Sequence, residues 1–243
     1  MLYTLFSPSE GKHTGGSIDK SSSIFLEHTP RREILQQYQS IIDSQDTEMI
    51  KALFGLKKAS DLVPYLSNYI SSEKLPAIER YDGVAYDYLD YPSLTHEAQA
   101  YLKEQTIIFS NLYGPLKGGD KITNYKVKQG NDIGNVTPDK FYNKRFSYQL
   151  DLFFHDHEIL DLRAGYYDKF YKPNKAFTTL KFLKGGKTVS HWAKAYRGIV
   201  LRALAQHQVN SIDAFMKLEL EHLQVKEIRE IKNKREIIYD IID

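Results

Sequence analysis

Met1-Leu2-Tyr3-Thr4-Leu5-Phe6-Ser7-Pro8-Ser9-Glu10-Gly11-Lys12 opens the chain, and its reading decides the fold class. Six residues, nearly all apolar and closed by Ser-Pro, form a short buried strand with its boundary. Glycine and serine follow at once, in His13-Thr14-Gly15-Gly16 and Ser21–Ser23, so the first strand runs into a flexible loop. Beyond Thr29-Pro30, a cap followed by proline in the first turn, Ile34, Leu35, Tyr38, Ile41 and Ile42 recur at helical spacing. A helix over 31–43 follows from that period. Strands and helices interleave over the rest of the chain, with no internal repeat.

The pattern predicts helices at 47–53 and 59–70, broken at Gly55, and a strand and turn over 76–89 around Asp82-Gly83. A helix at 94–103 behind a Ser93 cap, a strand at 106–109 and a glycine-punctuated loop from Asn111 to Asn131 come next. Tyr142, Phe146, Leu150 and Phe153 mark a helix over 141–154, and 159–162 is a short strand. Gly185-Gly186 between 177–183 and 187–190 signals a hairpin. Tyr196, Ile199, Val200, Ala203 and Leu204 line one face of a helix over 192–207, and Ser211 caps a short helix to Leu218. The end of the chain reads as two strands turning at Lys232-Asn233-Lys234, with a charged surface helix as the alternative. Strands interleaved with helices and no linker give an α+β fold, expected as a single domain over 1–243.

Composition supports a real core: 42% of the 243 residues are hydrophobic and 26% are charged. No run reaches the ~18 apolar residues of a membrane helix, and Met1–Phe6 lacks the basic start and length of a signal peptide. Absence of cysteine excludes disulfides, thiol catalysis and Cys-based metal sites, and a cytoplasmic location is expected. Charge is uneven. Residues 111–210 hold 17 Lys/Arg against 8 Asp/Glu, whereas residues 1–110 hold 10 against 15. Such a basic middle suits an anionic partner, although lysines also solvate ordinary helix faces.

Five short segments interrupt otherwise regular elements. They are Phe6–Lys12, then Ala77-Ile78 leading into Tyr81-Asp82-Gly83-Val84-Ala85-Tyr86, and Leu112-Tyr113-Gly114-Pro115-Leu116. Asp161-Leu162-Arg163-Ala164-Gly165-Tyr166-Tyr167-Asp168-Lys169 and Ala193-Lys194-Ala195-Tyr196-Arg197-Gly198 complete the set. In this order and spacing the chain resembles the YaaA family of bacterial peroxide-stress proteins over residues 1–222. It departs from the family pattern at Tyr125-Lys126-Val127-Lys128-Gln129-Gly130, where Lys128 replaces an acidic residue, and at Asp161–Tyr167, where a Ser/Glu pair is missing. The resemblance implies a mixed α/β fold with a basic cleft, binding of double-stranded or structured DNA, and a role in surviving hydrogen peroxide by limiting free iron or protecting DNA.

Backbone binding to DNA needs clustered Lys/Arg and turns that present N–H groups to phosphate. Lys117, Lys121, Lys126 and Lys128 accompany Gly114, Gly118, Gly119 and Gly130, and Lys126 and Lys128 share a face if the segment is extended. Lys194 and Arg197 lie three apart on one helix. Gly198 inside that helix, costing about 1 kcal/mol against Ala, marks a close approach by another element or by a ligand. The candidate nucleic-acid contacts are therefore Lys12, Tyr113, Gly114, Lys126, Lys128, Lys194 and Arg197. Two helix-hairpin-helix candidates stand beside them, 50–59 around Gly55 and 109–116 around Gly114. No catalytic residue, cofactor or metal is assigned. His155-Asp156-His157-Glu158 is a charged loop whose alternating side chains do not converge. An enzyme acting on a phosphorylated or nucleic-acid substrate through a Ser/Lys or lysine-centred site, drawn from Ser7, Lys12, Tyr113, Lys194 and Arg197, is the alternative.

Overall fold

A computed structural model describes residues 1–18, 24–26 and 29–242; the serine run Ser21–Ser23 lies outside the described residues. Strand Leu2–Phe6 is buried at every position, which its unbroken apolar character requires of a central strand covered on both faces. Thr106–Ser110 pairs parallel on one side of it and Glu158–Asp161 parallel on the other. Phe177–Lys184 continues parallel beyond Glu158–Asp161, followed by Lys234–Ile241 and then the antiparallel edge strand Leu223–Ile231. At the opposite edge Gly114–Lys117 turns back antiparallel on Thr106–Ser110. With Lys187–Thr188 paired to Phe177–Lys184, this makes a mixed eight-stranded sheet. Its packing helices share one contiguous hydrophobic core with it, giving the α+β architecture.

Local chemistry explains most boundaries. Asp46 accepts hydrogen bonds from the Glu48 and Met49 amides to start helix Thr47–Phe54, and Gly55 ends it in the left-handed conformation. Helix Pro138–Phe154 begins three residues before the expected start at 141, because Pro138 suits the first turn. Gly185 and Gly186 both take positive φ, as a two-residue hairpin turn demands. Ser211 accepts from the Ala214 amide to cap Ile212–Phe215. The tail forms the two-strand ribbon, not the alternative helix.

Four expectations are corrected. The stretch 76–89 is mainly helical, Ala77–Arg80 and Val84–Leu89 flanking the short strand Tyr81–Asp82. There the Gly83 carbonyl accepts from the Tyr86 and Asp87 amides, so the break at Asp82-Gly83 starts a helix. The cap of helix His96–Gln105 is Thr95, bonded to the Ala98 amide, not Ser93. The expected helix 59–70 is a 3-10 segment, Ala59–Tyr65, with Pro64 removing a donor inside it. Finally, the glycine-rich loop contains strands Gly114–Lys117 and Lys121–Thr123. Ser110 Oγ accepts from the Leu112 and Tyr113 amides and closes the turn that folds the first of these back.

Candidate functional site

In a parallel sheet, ligands lodge beyond the carboxyl ends of strands where the chain order reverses. Strand Leu2–Phe6 leads to a neighbour on one side and, later, Glu158–Asp161 arrives on the other, so the reversal lies between these two. The carboxyl ends carry Ser7-Pro8-Ser9-Glu10 and Leu162-Arg163-Ala164. Ser7 Oγ accepts from the Ala164 amide at 2.8 Å, tying the two exits together. Tyr86 Oη donates to the Ser7 carbonyl at 2.8 Å. Between them opens a cavity of about 460 Å³ whose walls include Ser7, Ser9, Glu10, Tyr86, Lys194 and Arg197.

Helix Ser190–Gln206 brings the two cations to this wall. A Cβ at Gly198 would run into the Ala85 carbonyl oxygen and the Leu89 amide. The close approach foreseen at Gly198 is therefore helix against helix, not ligand against backbone. It lets Ser190–Gln206 lie on Val84–Leu89 and sets Arg197, half-buried, at the cavity. The Arg197 guanidinium makes no hydrogen bond or ion pair among the described residues. Burial lowers its pKa, and the Asp161 carboxylate opposes that shift. Asp161 is itself already bound. Arg163 donates to its two oxygens at 2.9 and 2.7 Å, gives a third bond to the Tyr167 carbonyl, and lies 4.5 Å over the Phe109 ring. Lys194, one turn before Arg197, is exposed.

Lys12 takes a different place. Its Nζ donates to the Ser9 carbonyl at 3.2 Å and to the Glu10 carbonyl at 3.4 Å, while resting 4.1 Å over the Tyr125 ring. Burial, aided by the charges of Lys126 and Arg80 and opposed by Glu10, pulls its pKa down to about 7. Beneath it, Tyr81 Oη, Tyr125 Oη and Ser110 Oγ form a chain of hydrogen bonds at 2.9 and 2.7 Å. Lys12 thus supports the Ser7–Glu10 loop from below. Lys126 and Lys128 alternate with buried Tyr125 and Val127, so they share an outward side as the extended reading expects. Gln129, next to Lys128, lines the cavity and its amide faces Glu10 Oε1 at 3.4 Å.

Tyr113 and Gly114 are placed elsewhere, which corrects their reading as surface contacts. Tyr113 is buried with its hydroxyl on Thr123 Oγ1, and a Cβ at Gly114 would strike the Tyr142 ring. Both sit in the turn after Ser110, held from inside by Arg31, which donates to the Tyr113 and Pro115 carbonyls. Neither lines the cavity. The helix-hairpin-helix candidates fall with the same facts. At 50–59 the Gly55 and Leu56 amides are spent on the Ala52 and Lys51 carbonyls and Lys128 covers the turn; 109–116 is a β-turn between paired strands. Lys117 is bound to Glu104, and Lys121 also has a partner, so the four lysines do not form one open rail. His155 pairs only with its neighbour Asp156, both exposed, and the described residues contain no metal-ligating group of three.

Sequence reading missed Arg163, Asp161, Tyr86 and the buried arginines, because a lone Arg in a sequence looks like a surface residue. The adjacency of Asp161 and Arg163 at alternate positions after a strand was the available signal.

Comparison with known proteins places this geometry in context. Residues 1–229 match the family model described as peroxide stress protein YaaA. An uncharacterized protein of Campylobacter jejuni is 42% identical over 98% of this chain and 99% of its own. A UPF0246 protein of Finegoldia magna is 26% identical over 84% of this chain and 86% of its own. One from Streptomyces coelicolor is 28% identical, over 84% and 82%.

Proposed function

Since the chain belongs to the peroxide stress protein YaaA family, we propose that it serves the peroxide response in the cytoplasm by gripping double-stranded or structured DNA through the phosphate backbone. Arg197 and Lys194 meet phosphate at the cavity, and Lys126 and Lys128 extend the contact past Gln129. Arg197 is the observation that carries this reading. A half-buried guanidinium with no hydrogen bond or ion pair among the described residues bears a desolvation cost that an anion would relieve, and its planar donors suit phosphate oxygens. Bound DNA would be shielded from iron-driven oxidation along the covered backbone.

The test is fluorescence anisotropy of a labelled duplex across salt, for the wild type and a Lys126→Ala/Lys194→Ala/Arg197→Ala variant. About four or five neutralised phosphates weaken binding roughly 10²–10³-fold between 50 and 200 mM salt, and the variant flattens the slope by up to about three units. No binding at low salt, or a variant matching wild type, refutes the proposal.

A second reading rests on Lys12. An amine whose pKa is lowered to about 7 has a substantial neutral, nucleophilic fraction at neutral pH, so a lysine-centred activity on damaged DNA is the alternative. The Ser7/Lys12 pairing has less behind it, since no hydrogen bond joins the two side chains: Ser7 Oγ is bonded to Ala164 and Lys12 to carbonyls. Borohydride trapping with abasic DNA separates the readings. A covalent adduct that Lys12→Met abolishes supports catalysis, and its absence leaves binding alone.

A further inference from the structure

The outermost strand of the sheet, Leu223–Ile231, pairs only with Lys234–Ile241, and its other edge has no partner among the described residues. Every position after Leu223 is exposed on this strand. Val225, Ile228 and Ile231 stand out, each with more than two-fifths of its surface in water. Open edges pair with other strands unless charge, a bulge or a cover prevents it. Here the charges do not repel a copy of the same strand. They match it.

The segment Val225-Lys226-Glu227-Ile228-Arg229-Glu230-Ile231 is self-complementary when laid antiparallel about Ile228. Ile228 then faces Ile228 of the second copy, Glu227 faces Arg229, Lys226 faces Glu230 and Val225 faces Ile231. Both halves repeat these pairs by symmetry. Every neighbouring register fails. Centring between 228 and 229 sets Glu227 against Glu230 and Ile228 against Arg229. Centring on 229 faces Arg229 with itself and Glu227 with Ile231, and centring on 227 faces Glu227 with itself and Lys226 with Ile228. Directly opposed like charges destabilise a strand pair, and register is fixed wherever slippage misplaces side chains. A register centred on a residue also suits the backbone, whether Ile228 turns its own N–H and C=O outward or its neighbours do.

We propose that Leu223–Ile231 is a self-association edge, where a second copy of this chain adds its own strand antiparallel across a two-fold axis at Ile228. The sheets of the two copies then run on continuously. The β-bulge between Val225 and Glu227 falls toward the end of the matched segment, so the central Glu227–Arg229 pairs and the Ile228 contact set the register. Glu227 and Arg229 already bond within their own strand at 2.7 Å. A carboxylate and a guanidinium have capacity for a second partner each, so association adds to that pair without breaking it. One strand edge is a small interface, which makes the dimer weak and concentration-dependent.

Sedimentation equilibrium on the full chain from about 1 µM to several hundred µM tests this with two single variants, Glu227→Arg and Arg229→Glu. Wild type approaches the dimer mass within that range. Each variant alone places like charges opposite one another twice and weakens association about 10-fold or more. An equimolar mixture of the two restores it, because each pair across the axis is again opposite in charge. That restoration separates association from folding, since each chain in the mixture keeps its own like-charged strand. A wild type that stays monomeric throughout, single variants that associate as well as wild type, or a mixture no better than its components each overturns the proposal.

Discussion

Arg80 and Arg197 carry the same guanidinium into different circumstances. Arg80 is fully buried and donates to four backbone carbonyls, those of His13, Gly15, Glu73 and Ile122. It stitches the loop after the first strand to the segments around strands Lys74–Pro76 and Lys121–Thr123. Arg31 does the same for the turn at Tyr113. Arg197, only half-buried, lies at a cavity wall and bonds to none of the described residues. A buried cation whose donors are satisfied is scaffold; one that bears desolvation without a bond is suited to a visiting anion. The contrast separates arginines that hold the fold together from one that lines the cavity without such a role.

Breaking the scaffold side has the largest effect. Arg80→Leu leaves several buried carbonyls without donors and lowers stability by about 3–5 kcal/mol, read from urea unfolding. Arg163→Met strands the Asp161 carboxylate and costs about 3 kcal/mol, and pairing it with Asp161→Asn recovers much of the loss. On the other side, Arg197→Ala leaves the unfolding free energy within about 0.5 kcal/mol of wild type and weakens duplex binding ~10-fold or more at 50 mM salt. Lys128→Ala is smaller still, taking about one unit from the salt slope with no change in the urea midpoint.

Lys12 sharpens the comparison through pH. Its pKa falls from 10.5 unfolded to about 7 folded, so between these values the unfolded chain binds the extra proton. Stability therefore rises with pH across that window, and below about 7 the full cost of holding a buried charge is present. Lys12→Met removes this rise, as urea unfolding at pH 7 and pH 9.5 reports.

The same contrast explains how far the sequence could be read. The strand Leu2–Phe6, the stripe of Tyr142, Phe146 and Leu150, the Gly185-Gly186 hairpin and the terminal ribbon were legible, because period and turn chemistry act locally. The helices at Ala77–Arg80 and Val84–Leu89 were not, being only four and six residues long, the second fixed by Gly83 and by contact with Gly198 far along the chain. At the site, Lys194 and Arg197 were legible as a pair on one helix. Tyr113 and Gly114 misled, since a Tyr-Gly turn looks the same in sequence whether it faces water or Tyr142. Arg31, Arg80 and Arg163 were illegible as scaffold, because their partners are carbonyls and a carboxylate brought together only by the fold.

The most direct test is a pair of readings on the single variant Arg197→Ala: its urea midpoint and its affinity for a labelled duplex at 50 mM salt. Our account predicts an unchanged midpoint with binding weakened at least ~10-fold. A lowered midpoint would make Arg197 a scaffold arginine like Arg80, and an unchanged affinity would contradict the proposed DNA contact at the cavity.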